Sequence, residues 1–583
     1  MKRPVNTGKQ AKQRKHPTVI SWRFAFVVMT LSVIFFGLVA RAAYLQVVEP
    51  DMLVEQGDLR SLRVKSDEVM RGMILDRHGE ELAVSVPVES IYADSKVVMQ
   101  ASANNDTRRW HALADMLRLS PQALTDKIAT DPKKRYVYLQ RHASPATVDY
   151  IRKLKVPGIY FKQESRRYYP AGEVTAHILG FTNVDDKGVE GVERQFNALL
   201  KGEAGRKVIR KDAKGREIEV IEQKDATASR NLQLSIDQRI QAVAYRELKK
   251  AVLTFGAASG SVVVVDVHTG EVLAMVNSPS FNPNNRKGTA IHRFRNRAIT
   301  DTFEPGSTVK PLPVLAALEN GTADRTTVIP TGYGPIRVGG GRVTDVTGNG
   351  DLDLTGIIRR SSNIGVTRLA LNMPHEDMLK MYYSMGLGED TGLGLLGESA
   401  GQLRERARWS EFERATLSFG YGLSVTAVQL ARIYAAIGNG GTVRPLTILK
   451  TDNPPPGVRV IAEHNADAMV EMLEAVTEKR GTATRAKVPG YRVGGKTGTA
   501  KKAISGGYGD DYIGSFAGIG PISEPRLACV VIINEPSGDY YGGGEVAAPV
   551  FSAVMGAAMQ LLNLPPDGND SRISKVTGGP DAG

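Results

Sequence analysis

The sequence predicts an α+β protein of several domains on an N-terminal membrane helix, and three observations carry that prediction. Length is the first: 583 residues exceed what one hydrophobic core organises, so the chain divides. The second is the run Phe24 to Ala40, seventeen residues without a charge, at the short end of what spans a bilayer. The third lies after residue 231, where strand-like stretches stand at both ends of a long segment and helical stretches fill its middle. Helices inserted between the strands of one antiparallel sheet give that order.

The formal charge of +13 invites a nucleic-acid reading, which its location removes. Eight cations, from Lys2 to Arg41, precede the first acid, Glu49, and leave only +5 over the rest. A basic flank beside an apolar run marks residues 1–23 as a cytoplasmic tail, with Trp22 and Tyr44 at the two interfaces of an anchor over 24–44. Everything after the anchor is then exported. Ala40-Arg-Ala42 resembles a signal cleavage site, but an arginine inside it and the length of the apolar run favour an uncleaved anchor. The single cysteine, Cys529, excludes an internal disulfide and any cysteine-rich metal site. No metal, cofactor or nucleic acid is expected.

In chain order, residues 42–64 read as a mixed polar and apolar helical stalk, followed by a strand and turn from Arg71 to Ala83. To about Arg230 the chain mixes short helices, such as Asp106–Leu119, with strands, and 200–226 is charge-rich. Nothing in 45–230 forms a catalytic constellation, so a structural or docking domain is expected there. Asn231 opens a second domain, ending near 564, with a helix over Gln238–Val252. Gly260–Asp266 and Gly270–Val276 then predict a hairpin with one buried face. Helices follow from about 355 to 438, strands at 492–500, 512–519 and 526–534, and a last helix over Ala547–Leu562. The Gly-, Pro- and Asp-rich tail 565–583 reads as disordered.

Chemistry concentrates in Phe303-Glu-Pro-Gly-Ser-Thr-Val-Lys-Pro311, a turn feeding an apolar helix. Ser307 and Lys310 are i and i+3 on one helical face, and Ser-x-x-Lys occurs once in the chain. A serine needs a base, and the nearest candidate is that lysine. A free lysine titrates near ~10.4, about three units above a useful base, so burial or a second cation must supply about 4 kcal/mol. Two further stretches offer what is missing. Ser361-Ser-Asn363 brings a hydroxyl that can relay a proton and an amide that can bind a carbonyl. Lys496-Thr-Gly-Thr499, on an expected strand, brings a second cation, two hydroxyls for a substrate carboxylate, and in Gly498 room for a substrate backbone. Strand alternation sends Lys496 and Thr497 to opposite faces. Gly490 to Thr497 also fits the phosphate-binding loop formula, but that motif needs a helix after it, and Gly498–Asp510 starts none.

S-x-x-K, S-x-N and K-T-G in that order resemble the penicillin-binding proteins and class A β-lactamases. The chain as a whole resembles a class B penicillin-binding protein, most like the division-specific transpeptidases of Gram-negative bacteria. Arg71-Gly-Met-Ile-Leu-Asp-Arg-His-Gly79 is similar to that family's non-catalytic pedestal signature, with His78 in place of the usual asparagine. Gly420–Thr426 and Tyr541–Phe551 also resemble the family. The resemblance implies an elongated α/β pedestal and a serine β-lactamase-like domain, an antiparallel sheet flanked by helices. It implies acyl transfer through Ser307, with Lys310 as base, Ser361 as proton relay and Lys496 as the second cation. Asn363, Thr497, Gly498 and Thr499 would bind the D-Ala–D-Ala end of a peptidoglycan stem peptide, and backbone N–H groups of Ser307 and Thr499 would hold the oxyanion. The implied partners are β-lactam antibiotics, the inner membrane, a separate glycan polymerase and other division proteins. A hydrolase of the same lineage shares all three motifs, but needs neither anchor nor pedestal. A β-lactam sensor would need a signalling domain that 1–23 does not hold, and an inactive scaffold would not need intact motifs.

Overall fold

The computed structural model describes residues 21–48, 58, 61–67 and 69–568, except 132–134, 204, 213–215, 405, 407 and 505. Most of the expected basic tail, part of the stalk and residues 569–583 lie outside these. Contacts gather the chain into two compact units, Met1–Val69 with Glu203–Thr227, and Met70–Gly202 with Ala228–Gly583. Most of the expected 45–230 domain therefore groups with the segment that follows it.

In the first unit, Ser21–Ala43 forms the anchor helix and Tyr44–Val48 a π-helical turn. Its apolar side chains are exposed on every side, Trp22 and Phe36 by more than 60%. A helix apolar all round requires a non-aqueous surrounding, and this one is long enough to cross a membrane. The strands Leu62–Asp67, Gly205–Lys211 and Glu217–Lys224 form an antiparallel sheet with 205–211 in the middle.

The second unit begins with a buried lock. Both nitrogens that Arg71 turns toward Glu193 are shielded: Nε donates to Glu193 Oε2 at 2.7 Å and a second nitrogen to Glu193 O at 2.8 Å. Arg167 Nε donates to the other carboxylate oxygen at 2.6 Å. A Cβ on Gly72 would stand 2.1 Å from Arg230 O, so only glycine allows that crossing. Asp76 accepts from the amides of His78 and Glu80, closing the turn, and His78 reaches Asp237 at 3.0 Å. The long strand β1 (Glu81–Ala93) follows, then α1 (Thr107–Met116), β2 (Val137–Ala143), α2 (Pro145–Leu154) and β3 (Ile159–Tyr168). Asp106 and Ser144 cap the two helices through the amides of Arg109 and Thr147. Trp110, Leu113, Val148 and Ile151 from those helices close over Ile91, Leu139 and Phe161 of the sheet.

After α3 (Gln238–Thr254) come β4 (Ser259–Asp266) and β5 (Val272–Ser278). The hairpin forms as expected, but every residue of both strands is buried, not one face only. The cause is position: β4 sits inside a five-stranded antiparallel sheet covered on both faces. Along the chain between β5 and the next strand of this sheet come α4 (Pro311–Glu319), α5 (Leu354–Arg360), α6 (Asn363–Asn372) and α7 (Ala427–Gly438). The remaining strands are β6 (Gly494–Ile504), β7 (Gly507–Gly520) and β8 (Leu527–Asn534), before the last helix α8 (Ala548–Leu561). Sheet order is β5-β4-β8-β7-β6, which leaves β6 on an edge. α3 and α8 pack on one face and α7 on the other. β6 runs straight through Lys496-Thr-Gly-Thr499, so the phosphate-loop formula lies in a strand and no helix follows it. The tail's expected disorder does not extend to its first residues: Asp567 accepts from the amides of Arg492 and Ser523, at 2.7 and 3.0 Å.

Candidate active site

Ser307 stands second in a 3-10 turn, Gly306–Val309, which delivers it half-buried at the head of α4. The turn is fastened from behind. Gly306 N–H donates to Gly420 O at 3.1 Å, and Phe303 pairs with Val425. Gly420 has φ +88°, and a Cβ on it would lie 2.1 Å from Gly306 O. Glu304 Oε1 accepts from Gly422 N–H at 2.8 Å and from the Tyr508 hydroxyl at 3.3 Å. The Gly420–Thr426 stretch thus positions the nucleophile turn.

Lys310 ends the same turn with its side chain wholly buried. Its Nζ donates to Ser361 O and Asn363 Oδ1, both at 2.6 Å, and lies 3.2 Å from Ser361 Oγ. A neutral amine has two N–H bonds, enough for the two short contacts, and its lone pair is left for a hydroxyl proton. Ser361 reaches Lys310 because α5 stops there in a left-handed residue, φ +58°. Ser362 then caps α6, accepting from Gly365 N–H at 2.9 Å, so Asn363 enters as the first residue of that helix. Asp345 holds this junction from the glycine-rich stretch before α5. Its carboxylate accepts from Ser362 Oγ and Asn363 N–H, each at 2.6 Å, and from Ile364 N–H at 3.0 Å. Asn363 Nδ2 donates to Thr344 O at 2.9 Å, leaving Oδ1 turned to Lys310.

Lys496 is also fully buried, and its Nζ donates only a long contact, 3.4 Å, to Thr497 O. Burial pushes its pKa down to about 7. Burial, then the charge of Lys496, push Lys310 well below the ordinary lysine range, while Asp345 pulls it back up. Both causes that the sequence demanded, burial and a second cation, act on the one amine that touches the Ser361 hydroxyl.

On β6 the side chains alternate as a strand requires. Thr497 Oγ1 meets Thr482 Oγ1 at 3.1 Å, and exposed Thr499 accepts from Gly543 N–H at 3.1 Å. Gly498 differs from expectation. A Cβ there would run into Ser515 Oγ at 2.3 Å, Thr308 Cγ2 at 2.9 Å and Pro305 O at 3.0 Å. The glycine therefore lets the strand lie against the nucleophile turn; the space beside it is filled by protein, not kept for substrate. Ser307, Lys310, Ser361, Asn363, Lys496 and Gly498 thus lie around one turn. Asp345, Glu304 and Thr482 were not singled out from sequence. Each is an ordinary residue in a loop, and its partners lie outside its own local stretch, from 15 residues away for Thr482 to 204 for Glu304.

The chain matches the family described as the penicillin binding protein transpeptidase domain over residues 260–556, and the penicillin-binding protein dimerisation domain over 66–234. It is 50% identical over 97% of its length to the peptidoglycan D,D-transpeptidase FtsI of Escherichia coli (strain K12), covering 96% of that protein. With the probable peptidoglycan D,D-transpeptidase PenA of Neisseria meningitidis it shares 37% identity over 95% of both chains. Penicillin-binding protein 3 of Mycobacterium tuberculosis, solved in complex with aztreonam, superposes with a TM-score of 0.67 at 27% identity, over 86% of this chain and 98% of that one. The transpeptidase domain of Burkholderia pseudomallei penicillin-binding protein 3 gives 0.53 at 44% identity, over 57% and 98%.

Proposed function

This chain belongs to the class B penicillin-binding proteins, and from that membership we propose how its own residues carry out the reaction. It is a peptidoglycan D,D-transpeptidase and a target of β-lactams. Ser307 Oγ attacks the carbonyl between the two terminal D-alanines of a stem peptide, and its proton passes to neutral Lys310. Amide N–H groups of Ser307 and Thr499 take the oxyanion. The proton moves through Ser361 to the departing D-alanine nitrogen, the C–N bond breaks, and an ester to Ser307 remains. An amine of a neighbouring stem peptide then attacks that ester, returning the proton to Ser307 and leaving a cross-link. Asn363 holds the peptide backbone. Thr497 and Thr499, backed by Lys496, take the terminal carboxylate. A β-lactam follows the first half of this path and stays on Ser307.

The observation that carries this reading is the placement of Lys310 Nζ, buried, 3.2 Å from the Ser361 hydroxyl and within reach of a second buried lysine's charge. The basic flank of the anchor supports an N-terminus in the cytoplasm and a catalytic segment in the periplasm. The likeness to FtsI supports a role in septal wall synthesis, beside a separate glycan polymerase and other division proteins. Fluorescent penicillin tests the chemistry. The protein should hold the label for hours, and Ser307→Ala should hold none. Rapid release would make the enzyme a hydrolase; labelling of Ser307→Ala would remove Ser307 as nucleophile.

A further inference from the structure

Four tyrosines on the sheet of β1, β2 and β3 serve neither its core nor the reaction. Tyr138 on β2 and Tyr160 on β3 both stand opposite Tyr92 on β1, so the three form one row across three strands on one face. Tyr136, two residues before Tyr138, comes to the same face. Its ring stacks on Tyr92 at 4.1 Å and meets Tyr138 edge-on at 4.9 Å, while Tyr160 lies 5.6 Å from Tyr92. The opposite face sends Ile91, Leu139 and Phe161 into the core beneath α1 and α2. The tyrosine face is the water side of this sheet: Tyr136 is 36% exposed and Tyr160 42%.

The cluster is also held in place. The Tyr138 hydroxyl donates to Glu164, which accepts as well from Ser90 and from Arg141 at 3.2 Å. The Arg141 guanidinium lies over the Tyr138 ring, 4.7 Å from its centre. Lys162, two residues beyond Tyr160, brings its Nζ within 3.8 Å of the same carboxylate. Four rings gathered at a water-facing surface mark a binding face. Their chemistry narrows the ligand. Flat rings edged by hydroxyls suit a molecule whose C–H faces alternate with hydroxyls. A pyranose chain has those properties. A protein helix would instead want aliphatic pockets, which this row of rings does not offer.

We infer that this face binds the glycan strand of peptidoglycan, holding at a second point the polymer whose stem peptides acylate Ser307. The inference rests on the transpeptidase reading, and its test separates the two. Full-length protein in detergent is mixed with glycan strands stripped of their stem peptides, and binding is followed by fluorescence anisotropy. The wild type should bind. Tyr136→Ala and Tyr160→Ala should each weaken binding about 2- to 10-fold, the range an aromatic contact supports, and Tyr160→Phe should keep most of it. Fluorescent penicillin labelling should be equal in all of them, which also certifies their folding. If Tyr136→Ala loses labelling, Tyr160→Ala carries the test. No binding by the wild type, or equal binding by labelled Tyr160→Ala, would overturn the glycan face. Glycan binding without penicillin labelling of the wild type would strike the transpeptidase reading and spare the face. Unchanged glycan binding with loss of a division protein from the variant's complexes would make it a protein surface instead.

Discussion

Two lysines buried without a carboxylate against either amine are an expense that few folds carry. At Lys496 the cost can be read from its titration. The unfolded chain keeps that proton to about pH 10.4, whereas the folded protein releases it at about 7. Between those values the unfolded state binds more protons, so stability rises with pH across that window. Below pH 7 the folded protein carries the full penalty, on the order of 5 kcal/mol. Lys496→Met, close in volume, should therefore raise the melting temperature at pH 6.5. The gain should shrink steadily toward pH 10, while penicillin acylation collapses. Melting curves at pH 6.5, 8 and 9.5 check this; a gain independent of pH would mean that Lys496 is not buried as a strained cation. The same burial makes Lys310 a usable base, so stability is given up for reactivity at these residues.

At the scale of elements, the site is the meeting of one turn, one helix junction and one edge strand. Each of these was legible in the sequence because each announces itself locally. Pro305-Gly306 marks the turn, Ser361-Ser-Asn363 a helix junction, and 492–500 is expected as a strand. What joins them was not legible. Asp345 is one acid in a glycine-rich stretch, and its partners are amides 18 and 19 residues on. The burial of both faces of β4 depends on α7 as well as α3, and α7 lies far along the chain, which no local alternation reports. Gly498 shows the same limit: its sequence context suggested clearance for a ligand, yet its neighbours are Ser515, Thr308 and Pro305. Gly498→Ala should push β6 off the nucleophile turn. A displacement near 1 Å at a reacting group costs about 10²-fold, and the penicillin acylation rate should fall by that order. The overpacking itself should cost only about 1–3 kcal/mol, so the variant stays folded at 25 °C. Acylation within twofold of wild type would show that the strand and the turn are not in register for catalysis.

At the scale of the molecule, the segment from Met70 to Gly202 belongs to the compact unit that holds the site. Its signature residue, Arg71, finds Glu193 122 residues downstream, a pairing invisible to composition or spacing. Arg71 and Arg167 share that one carboxylate, and all three side chains are shut off from water. Such a cluster adds little over apolar packing, yet breaking it is costly, because removing one partner leaves charge uncompensated in a dry interior. Glu193→Ala strands two guanidinium groups at once and should cost at least the roughly 3–5 kcal/mol typical of a broken buried pair. The Tyr169 hydroxyl, 3.4 Å from Glu193, would lose its contact as well. None of these groups touches Ser307, Lys310, Ser361 or Lys496. Denaturant unfolding should therefore show the loss in full, while the acylation rate of the protein that remains folded should match wild type. A fall in that rate at constant folded fraction would mean that the lock shapes the reacting groups, and that the pedestal signature belongs to catalysis as well as to architecture.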